Sequence, residues 1–118
     1  MVDPIVHVEI PVSDLERAKE FYSKVFGWKI TETLGFTLFE TGRPPGGSFA
    51  HIEGDKPRGC LLYIAVEDIE SRLADVERAG GMVLRGRREV PGVDWDALFE
   101  DVSGNAHYLF TPLPKGGS

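Results

Sequence analysis

Residues 6–28 read VHVEIPVSDLERAKEFYSKVFGW: a β-branched apolar run, a helical stretch, a glycine stop, and one histidine inside the run. Residues 5–10 alternate weakly and are β-branched, which predicts a strand. Ser13 opens Ser-Asp-Leu-Glu, a capping box in which Ser13 accepts from the backbone near Glu16 and Glu16 returns the bond. Leu15, Ala18, Phe21, Tyr22, Val25 and Phe26 recur at helical spacing and give one broad apolar face. Gly27 follows directly, where a left-handed residue ends a helix.

Outward from this stretch, residues 28–33 and 36–41 predict a hairpin across Leu34-Gly35, residues 42–47 a loop, and residues 48–53 a fourth strand. The loop, with three glycines and two prolines, is either a lid or a plain connector. A linker over residues 54–59 follows. Then the pattern restarts: a strand over 60–66, a helix opened by Glu67-Asp68-Ile69-Glu70 and carried by Ile69, Leu73, Val76 and Ala79, a stop at Gly80-Gly81, and strands over 82–85, 93–100 and 105–111. One offset of 54 lays Pro-Val-Ser-Asp-Leu-Glu (11–16) on Ala-Val-Glu-Asp-Ile-Glu (65–70) and Gly27 on Gly81. An internal repeat of this kind decides the architecture. The reading is α+β, two βαβββ repeats forming a curved mixed sheet with a concave cleft and the helices on its outer side. The modules cover about residues 3–53 and 60–113 of one domain, with a disordered tail over 114–118.

Composition narrows the function classes. The 118 residues carry a formal net charge of −6, which disfavours nucleic acid, since phosphate binding rests on Lys/Arg neutralisation. Arg85, Arg87 and Arg88 read as a solvated turn, and Asp94, Asp96, Glu100 and Asp101 as a solvated acidic edge. No apolar run approaches the ~20 residues of a membrane span, so no membrane partner is expected. The single cysteine, Cys60, excludes an internal disulfide and suits a reducing compartment, with the cytoplasm as the default. Cys60 itself reads as an inert core thiol at a strand start.

Alternation along the strands divides the side chains between two faces. Val6, Val8 and Ile10, like Leu62, Ile64 and Val66, belong toward the helices. His7, Glu9, Leu61 and Tyr63 are left on the opposite surface, where a small-molecule cleft would form. Trp95 either walls that cleft or packs. His107 points opposite to Tyr108, toward the helix layer. Trp28 reads as a core aromatic.

His-x-x-x-Pro-Val-x-Asp-Leu-x-x-Ala-x-x-Phe-Tyr-x-x-Val-Phe-Gly-Trp (7–28), Val-x-Asp-Ile (66–69), Ala-Gly-Gly after the second helix and Asp-Val-Ser-Gly-Asn (101–105) together resemble the vicinal oxygen chelate superfamily. That group contains glyoxalases, extradiol dioxygenases, fosfomycin-resistance enzymes and bleomycin-binding proteins. The resemblance covers about residues 3–113 and implies paired modules around a U-shaped cleft and a homodimer. Members with a metal hold it by one residue on the first and one on the last strand of each module, where it acts as a Lewis acid. Carried over, those places fall on His7, Leu61, His51 and Tyr108, with Glu53 an alternative to His51. Leucine cannot bind a metal, and tyrosine is a poor ligand for a hard ion. His7 and His51 remain as metal candidates for Zn²⁺, Ni²⁺, Mn²⁺ or Fe²⁺. Otherwise His7 is a partly buried histidine bonded to Tyr63 or Glu9.

The favoured expectation is a small-organic-molecule binder without a complete metal site, its cleft lined by His7, Glu9, His51, Tyr63, Tyr108 and Trp95. One alternative is a metal-dependent lyase, isomerase, epimerase or dioxygenase using Glu9 or Glu53 as ligand or base. The other is a module that sequesters a cationic antibiotic.

Overall fold

A computed structural model describes residues 2–53 and 59–112. The expected linker, apart from Gly59, and the expected tail lie outside the described residues. The fold is α+β and contains two compact units: Ile5–Leu62, and the chain from Tyr63 onward together with its first residues as far as Pro4.

The first unit contains β1 (Ile5–Val12), α1 (Leu15–Phe26), β2 (Lys29–Thr33), β3 (Phe36–Glu40) and β4 (Gly46–His51). Its strands run in the order β2-β3-β4-β1, with β1 and β4 parallel and the other neighbours antiparallel. Helix α1 starts one residue later than the capping box implied. Asp14, not Ser13, is the cap, with extended backbone and a carboxylate that accepts from the Arg17 amide at 3.1 Å. A charged acceptor there also meets the positive end of the helix dipole. Gly27 takes φ 73° and closes the helix as expected. The hairpin turns on Leu34 and Gly35, both at positive φ.

The buried face of α1 is narrower than the spacing suggested. Leu15, Ala18 and Tyr22 pack with Val12, Phe39, Phe49, Ile10 and Trp28, whereas Phe21, Val25 and Phe26 are exposed. Trp28 stacks between Tyr22 (centroids 4.7 Å apart) and Phe39 (4.5 Å), the core role expected of it. Strand β4 begins two residues earlier than residue 48, because Gly46 and Gly47 are strand residues. A Cβ at Gly47 would lie 2.0 Å from the Val8 carbonyl and 2.4 Å from the Phe39 ring, so the ladder tolerates no side chain there.

The second unit contains β5 (Leu61–Ala65), α2 (Ile69–Arg78), β6 (Met82–Val90), β7 (Asp94–Glu100) and β8 (Ala106–Pro112), with sheet order β5-β8-β7-β6. Asp68 caps α2 through the Ser71 amide, fifty-four positions after Asp14. Ile69, Leu73, Val66, Ala97 and Leu109 form its buried core. The chain's start is fastened to this unit: the Pro4 carbonyl accepts from Ala65, and Asp3 pairs with Arg72 at 2.5 Å. Asp101 accepts from the Ser103 and Asn105 amides and from the Asn105 side chain, which shapes the turn into β8.

Three readings of this half need correction. Arg85, Arg87 and Arg88 lie within β6, not in a turn. Asp94 and Asp96 are buried, not a solvated edge. Cys60 is exposed and precedes β5. The arginines stay in a strand because Asp96, across the β6–β7 ladder, accepts from Arg85 at 2.7 Å and Arg88 at 3.2 Å.

Candidate functional site

In the first unit the core residues Val12, Ile10 and Phe49 fix which side of the sheet α1 covers. Strand alternation then puts His7 and Glu9 on the other side, as expected. One cross-strand row on that face is Thr31–Leu38–Ser48–Glu9; two residues along, Lys29 pairs with Glu40 and Gly46 with His7. His7 Nε2 is hydrogen-bonded to Ser48 Oγ at 2.9 Å. Burial of the ring holds the His7 pKa below its usual 6.5, so the imidazole is neutral at pH 7. A hollow of about 240 Å³ opens beside His7 and Gly46, walled by Thr31, Leu38 and Glu40. That is below the roughly 300–1,000 Å³ of drug-sized ligand sites, room for a small molecule or part of one.

His51 does not join this group. It pairs with Val12, on the side of the sheet that faces α1, and lies five register positions beyond His7, roughly 16 Å along the strand. Its ring is half exposed and sits 3.7 Å from Glu53, which is itself 95 % exposed two residues past β4. The physical reason is loop length. The offset of 54 holds from β1 to the end of the helix, but residue 9 pairs with residue 48 while residue 63 pairs with residue 108, so the last strands correspond sixty positions apart. The true counterpart of Tyr108 is therefore Ser48. The signal was the pair of glycines at 46 and 47, which lengthen β4 at its start.

In the second unit, Tyr63 stacks on Tyr108 (centroids 4.4 Å apart, planes 20° apart) with Phe110 edge-on at 6.5 Å, all on the face turned away from α2. Trp95 is not with them. It packs against the core cluster and lies under the Arg87 guanidinium at 4.7 Å, so of its two readings packing is the one observed. His107 is on the same side as Trp95, edge-on to Phe99, as read from the sequence.

The face with Tyr108 also carries Asp94 and Asp96, which sequence reasoning missed. Alternation in Asp-Trp-Asp-Ala-Leu-Phe was the available signal: once Trp95, Ala97 and Phe99 are core, both aspartates take the other face. Asp96 is held by two arginines. Asp94 is 6 % exposed, and its Oδ1 has no hydrogen-bond partner among the described residues. Burial first, and the neighbouring Asp96 second, push its pKa from 3.8 up to about 6, against a smaller lowering by Arg88.

The donor set can be tested against the family's metal. The four family places are His7, Ser48, Leu61 and Tyr108, of which only the imidazole is an ordinary ligand for a divalent ion. No group of three His, Cys, Asp or Glu side chains among the described residues could hold one. The residues do not fit the group. No helix of the described residues is long and apolar enough to cross a membrane.

Residues 4–42 match the family model described as bleomycin resistance protein-like N-terminal. A glyoxylase-like domain-containing protein of Didymella fabae is 32 % identical over 115 residues, covering 88 % of this chain and 90 % of its own. Among solved structures, methylmalonyl-CoA epimerase from Mycobacterium tuberculosis superposes with a TM-score of 0.71 at 19 % identity, covering 94 % of this chain and 89 % of that one. The Mn(II)-bound glyoxalase from Novosphingobium aromaticivorans superposes with a TM-score of 0.69 at 19 % identity, over 98 % of this chain and 42 % of that one. Those two structural likenesses speak to the fold. With the relative in Didymella and the family model, they establish that this chain belongs to the glyoxalase/bleomycin resistance superfamily, the vicinal oxygen chelate proteins.

Proposed function

We propose that this chain binds a small organic molecule on the sheet faces turned away from its helices, without a complete divalent-metal shell. The observation that carries the proposal is His7, a neutral imidazole bonded to Ser48 at the rim of the hollow over Gly46. With Nε2 engaged by Ser48, imidazole and hydroxyl together form a polar edge that suits a carbonyl or hydroxyl of a ligand. Glu9, two residues along the same face, is the carboxylate this reading places in contact with a ligand and the candidate for proton transfer. Glu53 is distant from His7 and drops out of that role. Tyr63 and Tyr108 supply aromatic surface. Action as a homodimer in the cytoplasm completes the reading.

The alternative, a metal-dependent lyase, isomerase or dioxygenase, is favoured by the manganese held by the Novosphingobium glyoxalase. It would require ligands from beyond the set described above.

The test is a fragment screen by amide chemical-shift mapping on labelled protein without added metal. The expected hits move Thr31, Leu38 and Ser48, and His7→Ala abolishes them. Hits confined to the exposed side of α1, or hits at the hollow only after Ni²⁺, Mn²⁺ or Fe²⁺ is added, would overturn the proposal.

A further inference from the structure

The end of β3 and the loop after it carry two opposite charges, Glu40 and Arg43, and neither side chain enters an ion pair among the described residues. Lys29, the cross-strand partner of Glu40, does not close on it either. Both charges wall one hollow of about 310 Å³, together with Thr41, Gly42, Pro44 and Gly46. Glu40 and Gly46 also wall the hollow of about 240 Å³ beside His7, so the two spaces adjoin. The loop that presents Arg43 is held in shape: the Thr41 hydroxyl donates to the Arg43 carbonyl at 3.0 Å, and Gly42 takes a φ of 94°. We propose that this hollow takes the head of a free α-amino acid, its carboxylate on Arg43 and its ammonium on Glu40, with the side chain lying in the hollow beside His7.

Charge complementarity selects the ligand class. A simple acid would set its carboxylate near Glu40, and a simple amine its cation near Arg43, and like charges brought together cost affinity. A zwitterion satisfies both walls at once. A peptide terminus carries only one of the two charges beside its backbone, so the free amino acid is the better match. Arg43 is three residues from Gly46, the register partner of His7, and that much chain spans at most ~11 Å. One amino acid can therefore reach from Arg43 to the polar edge of His7 and Ser48. Thr31 and Leu38 on the way favour an apolar or aromatic side chain, and the His7–Ser48 edge favours a hydroxyl at its end, as in tyrosine. The inference rests on the small-molecule reading above and names a ligand class for it.

L-Tyrosine is the probe, titrated into labelled full-length protein without added metal. Tyramine, which lacks the carboxylate, and 3-(4-hydroxyphenyl)propionate, which lacks the ammonium, are its counterparts. L-Tyrosine is expected to shift the amides of residues 40–43 together with those of Thr31 and Leu38. Each counterpart is expected to bind about tenfold more weakly, having lost one charge pair and met one like charge. Arg43→Gln and Glu40→Gln are each expected to weaken L-tyrosine about threefold to fivefold, the range of a solvent-exposed ion pair. Either counterpart binding as well as L-tyrosine, affinity unchanged in both variants, or no shifts at residues 40–43 would overturn the inference. Fragment hits that move Thr31, Leu38 and Ser48 while L-tyrosine leaves residues 40–43 unmoved would sink this inference and leave the proposed function standing.

Discussion

Replacing Asp94 by asparagine should make the protein more stable at neutral pH, an unusual expectation for a buried charged residue. The carboxyl titrates at about 6 in the folded protein against 3.8 when unperturbed. The folded state therefore binds the proton more tightly than the unfolded chain. Stability from this group is full below 3.8, declines as pH rises toward 6, and stays lost above it. At about 1.4 kcal/mol per pKa unit, the ionised carboxylate costs the fold on the order of 3 kcal/mol at pH 7.5. Asparagine keeps an unpartnered acceptor at the same place, which takes back ~1 kcal/mol. The expected net gain is about 2 kcal/mol at pH 7.5; at pH 4.0, where the folded carboxyl is already protonated and ionisation costs only about 0.5 kcal/mol, it becomes a loss of roughly 0.5 kcal/mol. Urea unfolding of both proteins at the two pH values reads it directly. A variant less stable than wild type at pH 7.5, or a difference equal at both pH values, would refute the reasoning.

Other expectations follow from the same packing. Gly47→Ala, with its Cβ driven against the Val8 carbonyl and Phe39 ring, should cost at least 1–3 kcal/mol in thermal or urea unfolding. Trp28→Ala removes a ring stacked on both sides and should cost about 3 kcal/mol in the same assay. Ser48→Ala should cost about 1 kcal/mol. It should leave His7 titrating below 6.5 by NMR, since burial and not the hydroxyl depresses it. His7 in turn contributes stability present above pH 6.5 and lost as pH falls through its folded-state value, the opposite sign to Asp94.

What the sequence revealed and what it hid divide along local and non-local physics. The opening strand, helix α1 and its stop were legible because a capping acid, a 3.6-residue period and Gly27 all lie within one short stretch. The repeat was legible for the same reason, since Asp14 and Asp68 perform one task fifty-four positions apart. His7 and Glu9 were placed correctly because strand alternation needs no knowledge of partners. His51 was misplaced because its face depends on where β4 starts, and that is set by Val8 and Phe39 approaching Gly47 from other strands. Arg85 and Arg88 looked like a turn because Asp96, which neutralises them in the strand, sits across a ladder whose bulges no spacing announces. Phe21, Val25 and Phe26 carry the helical period yet remain exposed, since periodicity marks a stripe but not how much of it the sheet covers.

The claim on which most depends is that His7 serves a ligand and not a metal ion. Elemental analysis of freshly purified protein, before and after EDTA, tests it most directly. The account predicts no divalent metal approaching one per chain, and the same result for His7→Ala. A near-stoichiometric Zn²⁺, Ni²⁺, Mn²⁺ or Fe²⁺ that EDTA strips and His7→Ala abolishes would contradict it.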